Sequence, residues 1–148
     1  MRVLIQRVTE ASVHINNEEK GSIAHGLLIF VGIAATDEKE DLIWTANKII
    51  GMRVFPDHGN KMNNNVLDAA GNLLVVSQFT LHASTKKGNR PSYMAAAKPE
   101  VAKPLYEQFV NLLRKQVQVE TGTFGADMQV SLVNDGPVTI WLDSQQKE

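Results

Sequence analysis

A short, mostly polar segment follows an apolar stretch in the middle of the chain, which is predicted to be buried. Residues 73–76 are all apolar, and the next four, Ser77-Gln78-Phe79-Thr80, supply two hydroxyls and an amide. Binding and catalytic side chains often lie where a rigid strand meets a loop. Thr80 could act as a nucleophile if a base lay near it, and His82 would share its face if the strand continued. Alternatively, these side chains only satisfy backbone groups at the strand end.

A second polar stretch, Asn134-Asp135-Gly136-Pro137, separates the apolar runs 128–133 and 138–142. The runs predict strands, and the tetrapeptide predicts the turn of a C-terminal hairpin. Glycine permits positive φ, while proline fixes φ, lacks an N–H and allows a cis bond at low cost. Gly136-Pro137, at the tip of the predicted hairpin, either forms only a tight turn or is exposed so that it contacts a ligand.

Familiar metal and catalytic signatures are missing from the sequence. It has no cysteine, which excludes disulfides, thiolate nucleophiles and zinc–thiolate sites. No His-x-x-x-His pair or carboxylate at ligand spacing predicts a metal site, and each histidine is predicted to lie at the surface or in a loop. Neither phosphate-binding glycine loop nor a G-x-S-x-G elbow occurs, which argues against nucleotide chemistry and that type of serine hydrolase. The four histidines are His14, His25, His58 and His82.

The formal net charge of -1 predicts no global basic field, so contact with a nucleic acid needs a local patch. Lys86, Lys87 and Arg90 form such a cluster in a polar loop, either as solvated surface or as a contact for a phosphate backbone. Gln6 and Arg7 interrupt the first apolar run, so no signal peptide is predicted. No run reaches the roughly 18 apolar residues of a membrane span. These features predict a soluble, intracellular protein.

The elements that would position these residues suggest one mixed α+β domain over residues 1–148. Apolar periodicity predicts two helices, one beginning at Asp37 with Glu40 as its capping partner and ending near Gly51, the other beginning at Pro99. Residues 56–65 are predicted to form a polar loop. Strands are predicted at residues 2–8, 12–15, 26–33 and 73–76, and in the C-terminal hairpin.

Together, the two polar motifs resemble the signatures of the D-aminoacyl-tRNA deacylases, S-Q-x-T and N-x-G-P-x-T. The chain carries them as Ser77-Gln78-Phe79-Thr80 and as Asn134 to Thr139. Related editing enzymes of similar fold have proline where this chain has Ser77, so the resemblance points to the D-specific branch. It covers nearly the whole chain, apart from the polar tail that begins at Ser144. Further similar stretches are Gln6-Arg7-Val8 and residues 59–63, 90–92 and 126–130.

The resemblance implies a single domain of mostly antiparallel or barrel-like strands with two main helices. It implies a cytoplasmic homodimer that hydrolyses the ester joining a D-amino acid, or glycine, to the 3′ end of tRNA. No metal or other cofactor is implied. The two motifs would come from opposite subunits and form the site at the dimer interface.

The same resemblance assigns roles to individual residues. Catalysis is assigned to Ser77, Gln78, Phe79 and Thr80, with Phe79 and nearby backbone N–H groups holding the ester carbonyl and the terminal adenosine. Gly136-Pro137, with its bond cis, would present main-chain carbonyls to the substrate α-amino group and exclude an L side chain. Substrate binding and L-amino-acid rejection are assigned to Gly136, Pro137, Asn134, Thr139 and Arg7, with Arg7 bracing the tip.

Three functional interpretations remain open at this point. The first is a D-aminoacyl-tRNA hydrolase in which Thr80 is either the nucleophile or an orienting group assisted by the ribose 2′-hydroxyl. Lack of a clear base favours the orienting role. The second is a non-catalytic tRNA- or RNA-binding dimer that uses Lys86, Lys87 and Arg90. The third is a small-molecule esterase or amidase with Thr80 as nucleophile.

Overall fold

The computed structural model describes residues 1–147. Over these residues the chain forms eight strands, two α-helices and one 3-10 helix, which confirms the predicted mixed α/β class with two main helices. The elements are β1 (Arg2–Ile15), β2 (Glu18–Ile23), β3 (Gly26–Gly32), α1 (Lys39–Gly51), β4 (Phe55–Pro56), β5 (Met62–Asn64), β6 (Asn72–Ser77), the 3-10 helix (Phe79–His82), α2 (Pro99–Arg114), β7 (Val119–Thr121) and β8 (Gln129–Asp143).

Six strands form one strongly curved sheet in the order β2-β1-β3-β6-β7, with β8 along the other edge of β1. The first half of β1 pairs with β3 and its second half with β2, while β8 runs antiparallel beside both halves. The β3–β6 and β6–β7 pairs are parallel. Strand β2 returns against β7, where a Cβ on Gly21 would lie 2.9 Å from the Thr121 carbonyl oxygen. The sheet is therefore nearly closed and barrel-like.

Strand β6 is buried on both faces, which explains its uninterrupted apolar sequence. Leu73 and Val75 pack in a core shared with α1 and α2, including the fully buried Phe109. Leu74 and Val76 face a second, smaller cluster on the opposite side of the sheet. The segment Ser77 to Thr80 therefore follows directly after a strand that is packed on both faces.

The predicted start of α1 at Asp37 was wrong by two residues. Glu38 caps the helix, and it exchanges side-chain-to-backbone hydrogen bonds with Asp41. Asp37 is instead buried, where it accepts hydrogen bonds from the Met1 ammonium and, at 2.7 Å, from the Ala34 N–H. Its carboxylate is engaged by an ion pair that sequence spacing does not reveal.

The predicted C-terminal hairpin was also wrong, because both apolar runs belong to β8. Gln6 pairs with Thr139 and Val8 pairs with Asn134, so four residues of β8 stand opposite Arg7 alone. The intervening stretch is a wide bulge rather than a turn. Strand β1 is long enough to pair with both runs, and the chain continues along it instead of reversing. We call residues 134–138 the bulge.

Three smaller expectations also change. Residues 2–8 and 12–15 belong to one continuous strand, and the predicted polar loop contains the β4–β5 pair. The stretch after β6 is a 3-10 helix, so Thr80 and His82 do not share a strand face. Within residues 1–147 no helix combines the length and apolar character needed to cross a membrane.

Candidate active site

The first half of the candidate site begins where β6 ends. Gln78 N–H donates to the Val31 carbonyl at 2.7 Å, and the chain then turns into the 3-10 helix. The Gln78 side-chain amide donates to the Thr80 hydroxyl at 2.6 Å. No histidine or carboxylate in residues 1–147 hydrogen-bonds that hydroxyl. The structure therefore brings Gln78 and Thr80 together and supplies Thr80 with an amide rather than a base.

His82 differs from its sequence-based prediction as a surface or loop residue. Its side chain is buried, and its Nε2 has no hydrogen-bond partner within residues 1–147. Burial lowers the pKa of His82, although the Gly32 backbone carbonyl acts in the opposite direction. His82 is therefore a neutral packing group at the end of the 3-10 helix. It lacks the contact to Thr80 that a general base needs.

Two residues that sequence reasoning missed support the 3-10 helix from behind. A Cβ on Gly32 would lie 3.0 Å from both the Gln78 carbonyl oxygen and His82 Cδ2, so the helix packs directly on the end of β3. Arg2 donates from Nη1 to the Leu81 carbonyl at 3.2 Å and from Nε to Asp143 at 2.8 Å. A single sequence does not show that the 3-10 helix approaches Gly32 so closely that a larger residue would not fit there.

A cavity of about 640 Å³ opens beside this segment. Its volume lies within the range of roughly 300–1,000 Å³ typical of small-molecule sites. The ends of β3 and β6, the start of α2 and residues 124–130 supply its walls. Within the described residues, none of 134–139 lines it. Its lining includes Ser77, Gln78, Phe79, Tyr93, Lys98 and Phe124.

The second half of the candidate site is the bulge, which the Asn134 side chain closes. Asn134 Oδ1 accepts from the Val138 N–H at 2.9 Å, and Nδ2 donates to the Val138 carbonyl at 3.1 Å and to Thr139 Oγ1 at 3.2 Å. The Gly136-Pro137 bond is cis and Gly136 has φ of +145°. Both residues are exposed. The bulge therefore exposes the main chain of Gly136 and Pro137 to solvent, and the Asn134 side-chain amide holds the two ends of the bulge together.

Arg7 joins the bulge to the body of the domain. Its Nε donates to the Asp135 carbonyl at 2.9 Å and lies 3.1 Å from the Asp135 carboxylate. Its Nη1 donates to the Val54 carbonyl, and only 9% of the residue is exposed. Because a buried guanidinium needs these partners, Arg7 restricts the position of the bulge.

Within one chain, the two halves of the candidate site lie far apart. Ser77 pairs with Val31, and Val31 pairs with Val3, four residues before Arg7 on β1. Three strand spacings and four residues along a strand correspond to a path of roughly 20 Å along the sheet between Ser77 and the bulge. Consistent with this path, none of residues 134–139 lines the cavity beside Ser77 within the described part of the chain.

The basic cluster lies in the loop between the 3-10 helix and α2. Lys86, Lys87 and Arg90 are all exposed. Ser84 and Ser92 exchange backbone hydrogen bonds of 2.8 and 2.9 Å, which close the loop that carries them. Within residues 1–147 no three His, Asp or Glu side chains are grouped to hold a metal ion. A metal-free site remains a prediction.

Replacing Asn134 tests its role in closing the bulge. Asn134→Ala removes three hydrogen bonds at a partly buried position and is expected to lower the free energy of unfolding by about 1–2 kcal/mol. Asn134→Asp keeps the acceptor for the Val138 N–H and should cost less than alanine. Urea denaturation measures both variants, and equal stability of all three proteins would contradict this role.

Comparison with known proteins tests the resemblance at the level of the family. The sequence model of the family described as D-Tyr-tRNA(Tyr) deacylase matches residues 4–143. A protein from Bacteroides fragilis named D-aminoacyl-tRNA deacylase is 57% identical over 150 residues, with 100% of both chains covered. Proteins of the same name from Akkermansia muciniphila and Flavobacterium johnsoniae are 56% and 55% identical, also over 100% of both chains.

Two solved structures share the fold. One, titled c-Myc DNA Unwinding Element Binding Protein, has a TM-score of 0.92 and 39% identity, covering 97% of this chain and 98% of its own. The other, titled as a probable eukaryotic D-amino acid tRNA deacylase, has a TM-score of 0.83 over 95% of this chain and 97% of its own, at 16% identity, which supports the fold alone. With the family match over residues 4–143 and full-length identity above one half, the chain belongs to the D-Tyr-tRNA(Tyr) deacylase family.

Proposed function

We propose that this protein hydrolyses the ester bond of D-aminoacyl-tRNA and releases the free D-amino acid and tRNA. Membership of the family makes the chain a hydrolase. The observation that carries the proposal is the cavity of about 640 Å³ beside Gln78 and Thr80, in a chain that matches deacylases from end to end. Such an activity would act in the cytoplasm as translation quality control.

The active site would lie between the two subunits of a homodimer. The path of roughly 20 Å along the sheet between Ser77 and the bulge supports this arrangement, because a partner could bring its own bulge to the cavity. Strand β8 supports it as well. Val133 and Trp141 on its outer face are 48% and 47% exposed, while Val138 and Ile140 between them pack against the core. A second copy would cover this surface.

Positioning and charge stabilisation would supply most of the catalysis. An aminoacyl ester is already activated, so a held water can attack the carbonyl carbon while the bond to the ribose 3′-oxygen breaks. The water proton then passes to that leaving oxygen. The N–H groups of Phe79 and Thr80 begin the 3-10 helix, where geometry leaves donors without an acceptor in the helix. They are suited to stabilise the developing oxyanion.

The exposed Gly136-Pro137 main chain would act as the chiral filter. Its carbonyls would accept hydrogen bonds from the substrate α-ammonium, and its backbone would fill the space that an L side chain needs. The contacts of Asn134 and Arg7 support this role because a wall excludes a substituent only if it cannot move aside. Glycine has no side chain to exclude, so glycyl-tRNA should also be a substrate.

Incubation with D-tyrosyl-tRNA and L-tyrosyl-tRNA tests the proposed function. Selective release of D-tyrosine is expected, and release of glycine from glycyl-tRNA is a further measurement. The basic loop favours a second candidate, nucleic-acid binding without catalysis, for which tRNA would bind and neither ester would be cleaved. Equal turnover of simple D-tyrosine esters would instead indicate a small-molecule esterase.

Thr80→Ala is expected to retain activity within about tenfold of the wild type in kcat/KM, because its hydroxyl contacts an amide and no base. Single-turnover hydrolysis of D-tyrosyl-tRNA measures the effect, with Thr80→Ser as the matched control. A fall of more than about 10³-fold, with the fold and tRNA binding intact, would contradict the orienting role and indicate a covalent intermediate.

A further inference from the structure

We infer that Phe79, Tyr93 and Met94 form a stacking surface for the unpaired nucleotides that precede the terminal adenosine of the tRNA. We call these three residues the stacking patch. The inference rests on the proposed function, because it assigns the part of the substrate that lies outside the cavity. It concerns binding of the RNA chain and adds no step to the chemistry.

The stacking patch is apolar and unusually open to solvent. Phe79 is 57% exposed, Tyr93 is 38% exposed and Met94 is 94% exposed. The rings of Phe79 and Tyr93 meet edge to face, with centroids 5.0 Å apart and an interplanar angle of 73°. Met94 follows Tyr93 in the chain, and neighbouring exposed apolar groups of this kind mark places where a ligand or partner binds. Both rings also line the cavity, so the patch continues its wall outward.

The loop that carries Tyr93 and Met94 is fixed at its base. Ala34 and Ala96 form a backbone bridge, and the Ala97 N–H donates to the Ile33 carbonyl at 2.9 Å. These contacts attach the loop to the chain that follows β3, next to the cavity. The patch is therefore held in place before a ligand arrives, which reduces the entropy lost on binding.

The chain segment that carries the stacking patch is basic and suits an anionic partner, while the Asp127 carboxylate lines the same cavity. Residues 69–99 contain none of the sixteen Asp and Glu residues and four of the fifteen Lys and Arg residues, in a chain whose formal net charge is -1. These four are Lys86, Lys87, Arg90 and Lys98, all exposed, and none forms an ion pair within residues 1–147. A second copy docked patch to patch would bring like charges together.

A single-stranded RNA matches both the exposed apolar surface of the stacking patch and the unpaired cations near it in the chain. Its phosphates match the unpaired cations, and its bases stack on aromatic and thioether side chains without a specific hydrogen-bond pattern. With the terminal adenosine in the cavity, the preceding nucleotides must leave toward solvent, where the exposed lining residues Phe79 and Tyr93 lie. The geometry thus points to unpaired nucleotides rather than to a protein partner.

Calorimetry with adenosine and with the trinucleotide cytidylyl-cytidylyl-adenosine tests the inference without relying on catalysis. The wild type should bind the trinucleotide more tightly. Tyr93→Ala or Met94→Ala should weaken trinucleotide binding by about 5- to 150-fold relative to adenosine, the loss expected for one stacked base. Tyr93→Phe keeps the ring and should preserve the ratio. Met62→Ala removes another methionine, 59% exposed and outside the patch, and should also preserve it.

Two results would overturn the inference. One is an unchanged affinity ratio in both Tyr93→Ala and Met94→Ala. The other is a shift of oligomeric state in either variant by light scattering, which would identify the patch as a subunit interface. Turnover of D-tyrosyl-tRNA is measured on the same samples. Tight trinucleotide binding without turnover would refute the proposed hydrolase while supporting the patch.

Discussion

Gly136→Ala is expected to lower kcat/KM for D-tyrosyl-tRNA by at least about 100-fold, the loss that a displacement near 1 Å can produce in an active site. A Cβ at this position would lie 2.7 Å from Val138 Cγ2, 2.9 Å from the Val138 nitrogen and 3.2 Å from Arg7 Nη2. The backbone φ of +145° is also one that an L residue rarely adopts. The bulge must therefore move, and the substrate contacts proposed for it move too.

Gly88→Ala separates backbone strain from this displacement. Gly88 has φ of +80°, and a Cβ there would meet nothing within 4 Å. In urea denaturation Gly88→Ala should lose about 1–2 kcal/mol of the free energy of unfolding from backbone strain alone, and Gly136→Ala should lose more, because its Cβ also meets Val138 and Arg7. If Gly136→Ala stays folded and hydrolyses D-tyrosyl-tRNA within threefold of the wild type, the bulge does not contact the substrate.

The second large effect is expected for the double variant Gln78→Ala/Phe79→Ala. It removes the amide that holds the Thr80 hydroxyl and the exposed ring at the cavity mouth. Releasing the Thr80 hydroxyl should cost up to about tenfold and losing the Phe79 ring about 5- to 150-fold, so kcat/KM for D-tyrosyl-tRNA should fall by about 100- to 1,000-fold. Phe79 is exposed and Gln78 half-buried, so the loss should come with little change in stability.

Two controls accompany that variant. Phe79→Tyr keeps the ring and should remain within fivefold of the wild type. Gln118→Ala removes an exposed glutamine amide on the surface before β7, and should leave hydrolysis unchanged. A double variant that retained more than a third of the wild-type kcat/KM would show that the Gln78 and Phe79 side chains lie away from the bound substrate.

Local sequence predicted those parts of the fold that depend on local chemistry. The apolar runs at β3 and β6 and the periodic stripes of α1 and α2 placed the core elements, because burial on one or both faces fixes their composition. The two polar motifs were identified from residue types and from the resemblance. Their contacts, Gln78 to Thr80 and Asn134 to Val138, are short in sequence.

Long-range contacts account for what the sequence could not show. Asn134-Asp135-Gly136-Pro137 has the composition of a turn, and only the length of β1 makes it a bulge within one strand. Asp37 has the type and position of a helix cap, but the Met1 ammonium pairs with it. His82 appeared to be a loop residue until the 3-10 helix placed it against Gly32. Each error reflects a partner distant in sequence.

The central claim is that each active site takes one motif from each subunit, and subunit complementation tests it most directly. Gly136→Ala and Gln78→Ala/Phe79→Ala chains are co-expressed with different affinity labels, and the mixed dimers are isolated. Each mixed dimer then has one site with both lesions and one site with none. The account predicts that hydrolysis of D-tyrosyl-tRNA, nearly absent in either parent, returns to about half of the wild-type rate per dimer. Mixed dimers as inactive as both parents would contradict the account, because both motifs would then act within one chain.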